Sequence, residues 1–421
     1  MLDLKAIRKQ PEVFKAALAR KGVQPNVIND LLSADESKRE LQAQTDNLKA
    51  EQNQASKSIP QLSGEAKAQA LADMKVIADK RKSLEADLEK ASAVVEELLM
   101  SLPNPPRDEV PDGEGEEGNT VARFEGEKAS FDFEPKEHWE LAEALNLLDM
   151  EQAAQVSGSR FYYLRNELAM LQQALMMWAF RTVSDKGYSP TIPPFMTRKE
   201  AIVGTGFFDR DENYCVNPGE DDLYLIGTSE VPMVSIHADQ VIDLSKGPIR
   251  YAAYSPCFRR EAGSYGKDTK GILRVHQFEK IEMVVFCKPE DTVAVHESLR
   301  ETEEEILKAL GIHYQVVNIG CGDLGVSASK KYDLEAWLPG QKQYREMTST
   351  SICDDFQTRR LNIRYKDEDG KLQFAHALNG TAVSSRPLIA ILENGQNEDG
   401  SIDIPEVLWP FTGFKKIEAK I

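Results

Sequence analysis

The chain has 421 residues, of which 41% are hydrophobic and 29% are charged, a composition typical of soluble proteins. Its formal net charge of −18 excludes an indiscriminate nucleic-acid binder, because such a protein needs a positive surface. No apolar run is long enough to predict a membrane span, and residues 1–22 lack the continuous apolar stretch of a secretory signal. We therefore expect a cytosolic protein with two or three domains and no membrane attachment.

Residues 26–100 are almost free of glycine and proline and are rich in good helix formers, with one interruption at SIPQLSGE, residues 58–65. Apolar residues recur every seven positions in both arms, which is typical of a coiled-coil seam. The seam consists of Ala34, Leu41, Leu48, Ala55, Ile77, Leu84, Leu88, Ala91, Val95 and Leu98. The pattern predicts two antiparallel helices of about 33 residues, roughly 50 Å long. By itself such a rod suits dimerisation as well as it suits partner binding.

Proline, glycine and acidic residues then displace apolar residues over residues 101–120. We expect an N-terminal domain at 1–105, a linker at 106–120 and a second domain at 121–421. In the second domain a helix is predicted over 161–187, ending at a glycine. The predicted strands are 223–230, 249–261, 272–286 and 360–366. Consecutive strands with helices between them indicate an α+β domain on an antiparallel sheet.

The strands predicted at 249–261 and 272–286 flank a loop rich in glycine and charge, residues 262–271. Alternate side chains of a strand share a face, so Arg259 and Glu261 are expected to project together, as are Phe278 and Glu282. A guanidinium binds phosphate, an aromatic ring stacks on a base, and a carboxylate accepts from an amino group. This face could therefore hold a nucleotide, although cross-strand ion pairs on a solvated surface would give the same pattern.

FRRE, the loop and RVHQFEK together resemble motif 2 of the class II aminoacyl-tRNA synthetases, and the whole chain resembles the bacterial-type seryl-tRNA synthetases. Further similar segments are motif 1 at 187–208, the T-x-E loop in IGTSEVP at 226–232, the ATP and metal segment at 323–365, and motif 3 at 378–396. The rod is similar to the tRNA-binding arm of that family. The resemblance implies a class II catalytic domain on an antiparallel sheet with flanking helices, plus an antiparallel two-helix coiled-coil arm.

The resemblance also implies an ATP site. Arg259 would contact the α-phosphate, Glu261 the adenine amino group and Phe278 the adenine ring, while loop 262–271 would move between ATP and the acceptor end of tRNA. The implied ATP-binding residues are Arg259, Arg260, Glu261, Val275, Phe278, Glu346, Met347, Thr348, Ser349 and Arg386. Arg259, Glu346 and Arg386 would be catalytic, with Arg386 on the γ-phosphate. Glu346 and Ser349 would bind Mg²⁺ through ATP, since this cation prefers oxygen ligands.

The implied serine-binding residues are Thr228, Ser229, Glu230, Arg259, Glu282 and Thr381. The implied enzyme is a ligase that activates L-serine with ATP and transfers it to tRNA-Ser, and to tRNA-Sec where that tRNA is present. It would be a cytoplasmic homodimer. Basic residues of the second arm are the first candidates for contacts with tRNA phosphates: Lys75, Lys80, Arg81 and Lys82.

Two other interpretations compete with this one. A related ligase could charge a carrier protein instead of tRNA, but the resemblance implies that such relatives lack the long rod. A catalytically inactive relative could serve as a coiled-coil scaffold. Such a protein would be expected to lose Arg259, Glu346 or Arg386, and all three are present.

Overall fold

The computed structural model describes residues 1–208, 212–220, 222–262, 266, 268 and 270–419. The chain forms two compact units, Met1–Pro105 and Pro106–Ile421. Within the described ranges no helix combines the length and the apolar character needed to cross a membrane.

The first unit consists of four helices: α1 (Leu4–Lys9), α2 (Pro11–Ala19), α3 (Pro25–Ser58) and α4 (Gly64–Ser101). Helices α3 and α4 pack along each other as the antiparallel hairpin that the heptads predict. With 34 residues at the usual rise per residue, α3 is about 50 Å long. A short 3₁₀ turn, Ile59–Gln61, forms the tip.

The seam residues of the hairpin are mostly half-buried, because a pair of helices cannot enclose its own interface, and Val95 near the base is fully buried. Two buried polar residues lie outside the predicted apolar set. The Asp35 carboxylate accepts from Arg8 of α1, with 2.7 Å between the oxygen and Nε, and the Thr45 hydroxyl donates to the Leu41 carbonyl at 2.8 Å. Paired in this way, polar groups can be buried at little cost in stability.

Arg81, one of the predicted phosphate contacts, takes part in interactions within the hairpin. Its guanidinium donates to Gln52 of the opposite helix and lies 3.2 Å from the Glu85 carboxylate. This residue therefore helps to hold α3 against α4. The other three predicted contacts are exposed on α4: Lys75, Lys80 and Lys82.

Eight strands form the main sheet of the second unit. In chain order they are β1 (Thr120–Glu125), β2 (Ser189–Thr191), β3 (Ile249–Phe258), β4 (Gln277–Cys287), β5 (Tyr314–Asn318), β6 (Lys330–Leu338), β7 (Gln343–Asp354) and β8 (His376–Ser384). Their order across the sheet is β1-β5-β6-β7-β8-β4-β3-β2. Neighbouring strands are antiparallel except β2 and β3. The predicted antiparallel α+β fold is confirmed.

Helices pack against this sheet and close the core. They are α5 (His138–Ala144), α6 (Glu151–Ser157), α7 (Asn166–Asp185), α8 (Lys199–Thr205), α9 (Glu230–Ser235), α10 (Thr292–Ala309), α11 (Phe356–Arg360), α12 (Pro387–Asn394) and α13 (Trp409–Thr412). The main core joins α7, α10 and α12 to the sheet through side chains such as Leu171, Leu307, Leu388 and Val285. Burial of these apolar faces holds the two layers together.

Short strands complete the second unit in four small sheets. Two of them have two strands: Leu148–Asp149 pairs with Tyr163–Leu164, and Ile402–Asp403 pairs with Lys416–Ile417. A third sheet has the strands Met196–Arg198, Leu223–Leu225 and Cys215–Val216, in that order. The fourth has Leu372–Phe374, Arg364–Lys366 and Val241–Ile242. Residues 106–120, predicted as a linker, belong to the second unit. Val110 is buried there in a small apolar cluster with Val317 and Ile319.

All four predicted strands are shorter than expected. The strand predicted at 249–261 ends at Phe258, and the one predicted at 272–286 begins only at Gln277. The one predicted at 223–230 ends at Leu225, and the one predicted at 360–366 begins only at Arg364, after a helix that ends at Arg360. Glu261 has φ of 52°, in the left-handed region, so the chain leaves the extended conformation before it. The prediction that Arg259 and Glu261 share one strand face is therefore wrong. Of loop 262–271, residues 263–265, 267 and 269 lie outside the described residues.

Candidate active site

A cavity of about 290 Å³, called here the central cavity, opens beside strands β4, β7 and β8. Predicted site residues from distant parts of the chain line it: Arg259, Glu261, Val275, Phe278, Glu346, Met347, Thr348, Ser349, Thr381 and Arg386. Arg260 is not among the described lining residues, and its backbone N–H donates to the Glu212 carbonyl at 3.1 Å. The antiparallel pairing of β3, β4, β8 and β7 brings the lining residues together.

Arg259 is held from three sides just beyond the end of β3. Its guanidinium carbon lies 5.1 Å from the centre of the Phe278 ring, a cation–π contact, and its Nε donates to the Gly227 carbonyl at 3.1 Å. The backbone N–H of Arg259 donates to the His276 carbonyl, and His276 Nδ1 donates back to the Arg259 carbonyl. The guanidinium is thus preorganised at the cavity wall.

Glu346 and Arg386 form an ion pair at the cavity, with 2.9 Å between Oε2 and Nη1. Nη1 also donates to the Glu346 carbonyl at 3.1 Å. Although burial opposes ionisation, the charges of Arg386 and Lys331 lower the pKa of Glu346 to about 2. Burial likewise disfavours the charged form of Arg386, but the Glu346 carboxylate raises its pKa. Both groups are therefore charged at neutral pH.

A β-bulge in β7 decides which side chains of that strand reach the cavity. Leu334 of β6 pairs with Thr348, and the next residue pairs with Glu346, so Met347 is the extra residue, and its side chain lies in the core. The Thr348 hydroxyl donates to Glu303 of α10 at 3.1 Å. The hydroxyl proton of Thr348 is therefore used within the protein, and its role in ATP binding stays a prediction.

A second group of polar side chains adjoins the cavity. Glu282 of β4 pairs in register with Thr381 of β8, and the Thr381 hydroxyl donates to the Glu282 carboxylate at 3.4 Å. Lys280 forms an ion pair with Glu282, and its Nζ donates to the Thr228 hydroxyl at 2.8 Å. Sequence reasoning missed Lys280, although its alternation with Phe278 and Glu282 along β4 was the available signal. Lys280 thus joins the T-x-E loop to the sheet.

Glu230 is fully buried behind this group. Its Oε1 accepts from Gln357 at 2.7 Å and from Asn379 at 2.9 Å, two residues that sequence reasoning also missed. Burial raises the pKa of Glu230 to about 7, and the Glu282 carboxylate adds to the rise. Ser229 donates to the Ala253 carbonyl at 3.2 Å, so its hydroxyl is used inside the protein.

Lys331 of β6 adds another positive group to the cavity wall. Its Nζ lies 2.9 Å from the Asp333 carboxylate. Burial opposes the charge on Lys331, but Asp333 and Glu346 raise its pKa, while burial raises the pKa of Asp333 to about 7. Together with Arg259, Lys280 and Arg386, the lysine gives the described lining of the cavity four cations, which suits a polyphosphate ligand.

Two family models match the chain: the seryl-tRNA synthetase N-terminal domain over residues 1–106 and the tRNA synthetase class II core domain (G, H, P, S and T) over residues 213–395. A serine–tRNA ligase of Corynebacterium glutamicum is 49% identical over 413 residues, which cover 98% of this chain and 97% of the relative. The chain belongs to the seryl-tRNA synthetase family. A second relative, a serine–tRNA ligase from Mycobacterium sp. (strain KMS), is 46% identical over 418 residues, which cover 99% of this chain and all of the relative.

Solved seryl-tRNA synthetases share the whole architecture. The enzyme from Pyrococcus horikoshii, complexed with ATP, is 40% identical and superposes with a TM-score of 0.94, with both chains covered completely. The cytoplasmic enzyme from Naegleria fowleri, in complex with AMP, is 32% identical with a TM-score of 0.86, over 98% of this chain and 96% of that one. The class II core and the N-terminal helices of this chain both have counterparts in these structures.

Proposed function

We propose that this protein activates L-serine with ATP in the central cavity and then transfers serine to tRNA-Ser. One observation carries the proposal: the cationic cavity wall of Arg259, Lys331 and Arg386 adjoins the polar group of Lys280 and Glu282. The relatives named serine–tRNA ligase and the ATP complex of the Pyrococcus enzyme support it. The test is ATP–pyrophosphate exchange with a panel of amino acids, followed by charging of tRNA-Ser.

In the proposed first step the serine carboxylate attacks the α-phosphorus of ATP in line, and pyrophosphate leaves with the electron pair of the broken P–O bond. Arg259 contacts the α-phosphate and Arg386 the γ-phosphate, so their charges stabilise the negative charge that spreads over the phosphate oxygens. No protein nucleophile is needed. In the second step the terminal ribose hydroxyl of tRNA attacks the carbonyl of seryl-adenylate, and AMP leaves.

Glu346 and Ser349 fit the predicted Mg²⁺ site. The carboxylate is ionised, since its pKa is about 2, and the serine hydroxyl lines the same cavity. Carboxylate, hydroxyl and phosphate oxygens are the ligands that Mg²⁺ prefers. The bound cation would neutralise part of the phosphate charge, while Glu346 holds Arg386 in place through the ion pair.

Serine would be selected by the polar group next to the cavity. In this proposal Glu282 and Thr381 would meet the side-chain hydroxyl, and Glu230 would meet the ammonium group. Glycine and alanine would leave buried polar groups without partners, which is costly in binding free energy. Lys280 keeps Glu282 and Thr228 oriented through its two contacts.

The apparent affinity for serine is expected to rise with pH. Because burial raises the pKa of Glu230 to about 7, its carboxylate is largely protonated below neutrality and ionises as the pH rises through that value. The serine ammonium binds the ionised form, so KM for serine should fall about tenfold between about pH 6 and about pH 8. Steady-state pyrophosphate exchange measures this. Glu230→Gln, which cannot ionise, should bind serine weakly without that pH dependence, and a flat KM in the unmodified enzyme would exclude this role.

We also propose a homodimer formed through α7 and the motif 1 region. Met170, Met177 and Ile192 expose 54%, 60% and 68% of their surface, and an interface in this region would cover these apolar side chains. Sedimentation at micromolar concentration is expected to give twice the chain mass, and Met177→Glu should shift the equilibrium toward monomer by burying a charge. A monomeric mass for the unmodified chain would contradict the proposal.

We further propose that the enzyme works in the cytosol and serylates tRNA-Sec in cells that contain this tRNA. Both proposals rest on the likeness to the seryl-tRNA synthetase family. Charging of a tRNA-Sec transcript with labelled serine, compared with tRNA-Ser under the same conditions, tests the second.

A further inference from the structure

Three separate segments meet at His138, a buried residue with 1% exposure at the start of α5. Its Nε2 lies 3.2 Å from the backbone nitrogen of Ile272, and its Nδ1 lies 3.1 Å from Glu393 Oε1. A backbone N–H can only donate, so Nε2 is the acceptor. The ring proton is therefore on Nδ1 and is donated to Glu393.

Glu393 fixes the other side of this contact. It is fully buried near the end of α12, the helix that begins directly after Arg386. Its Oε1 also accepts from the backbone N–H of His138 at 3.1 Å, and its Oε2 accepts from the backbone N–H of Gly340 at 2.9 Å. With three N–H donors, the carboxylate ties α5, α12 and the turn between β6 and β7 together.

The downstream end of loop 262–271 rests directly on the imidazole. Gly271 has φ of 75°, and a Cβ atom at this position would lie 2.0 Å from His138 Nε2. Only glycine fits both the conformation and the space. The next two residues, Ile272 and Leu273, line the central cavity. Movement of His138 would therefore move the cavity wall.

We propose that His138 is a positioning residue that anchors the end of loop 262–271 to the helix behind Arg386 and so shapes the nucleotide side of the cavity. This inference rests on the proposed function, because it assigns that side to ATP. The serine side is built from other segments, namely Thr228, Lys280, Glu282 and Thr381. Loss of the anchor should therefore weaken ATP binding selectively.

Two substitutions separate the halves of the contact. In His138→Gln the side chain is long enough to place the amide oxygen near the position of Nε2, where it can accept from the Ile272 N–H. In His138→Asn the amide reaches only the position of Nδ1, so the hydrogen bond with Ile272 is lost. Pyrophosphate exchange with the full chain, normalised to titrated active sites, is the assay. We expect His138→Asn to raise KM for ATP about tenfold with KM for serine within about twofold, and His138→Gln to stay close to the unmodified enzyme.

Gly271→Ala provides a second route if His138→Asn does not fold. It places a methyl group against the His138 imidazole, so Ile272 and the ring must move apart, and it should give the same selective rise in KM for ATP. Two results would overturn the proposal. One is a lower melting temperature or active-site titre with unchanged KM values for ATP and serine, and the other is an equal rise in both KM values. If the unmodified enzyme shows no serine-dependent exchange, the proposed function fails instead, and calorimetric titration of ATP into the same variants still decides the anchor.

Discussion

Replacing Arg259 by alanine is expected to lower serine-dependent pyrophosphate exchange by about 10²–10³-fold, equivalent to about 2.7–4 kcal/mol of transition-state stabilisation. The guanidinium is preorganised by Phe278 and Gly227 and lines the central cavity. Of the three guanidinium nitrogens of Arg259, only Nε has a hydrogen-bond partner among the described residues. The two terminal nitrogens can therefore bind two phosphate oxygens. This contact strengthens as charge develops on the α-phosphate, so kcat should fall more than KM changes.

Arg260→Ala is the matched control for this experiment. It removes the same charge from the neighbouring position. The resemblance implied that Arg260 binds ATP, but Arg260 is exposed and does not belong to the described cavity lining. We expect exchange within about threefold of the unmodified enzyme, as for a surface substitution. Near-normal exchange in Arg259→Ala, or an equal loss in both variants, would remove Arg259 from the proposed mechanism.

Removing most of the helical hairpin is expected to abolish tRNA charging while leaving serine activation nearly intact. Residues 40–91 can be replaced by a short glycine-serine linker that keeps Asp35 and Val95, two buried residues at the base. The described residues that line the central cavity all belong to the second unit, so pyrophosphate exchange should stay within about threefold. An arm about 50 Å long can instead contact a distant part of a folded RNA, and its loss should cost about 10²-fold or more in aminoacylation.

The same hairpin offers a milder variant as a control. Replacing Lys75, Lys80 and Lys82 by alanine keeps the fold of the arm and removes exposed charges, so tRNA affinity should fall moderately and depend less steeply on salt. If the deletion variant loses pyrophosphate exchange and tRNA charging together, the arm is a folding or dimerisation element. Unchanged charging would show that it has no part in tRNA recognition.

Local sequence patterns predicted the elements that depend on local physics. The heptads specify the pairing of α3 with α4, because a seven-residue apolar repeat has one face to bury. The helix predicted over 161–187 is α7, Asn166–Asp185, with Gly187 in the left-handed conformation after it. Pro387 opens α12, where its missing N–H costs no helical hydrogen bond. The resemblance to the motifs of the class II synthetases indicated most of the cavity lining.

The tertiary structure alone decided how those residues are used. Sheet register and a packed helix decide three features: the end of the strand before Glu261, the bulge at Met347 and the contact of Thr348 with Glu303. The alternation of side chains along a strand does not predict these features. The same holds for partnerships between segments far apart in sequence. Three such pairs become neighbours only when the strands and helices have packed: Lys280 with Thr228, Glu230 with Gln357, and His138 with Ile272. Sequence by itself determined which chemical groups the chain carries and which elements form, whereas burial and non-local contact set their charge state, orientation and partners.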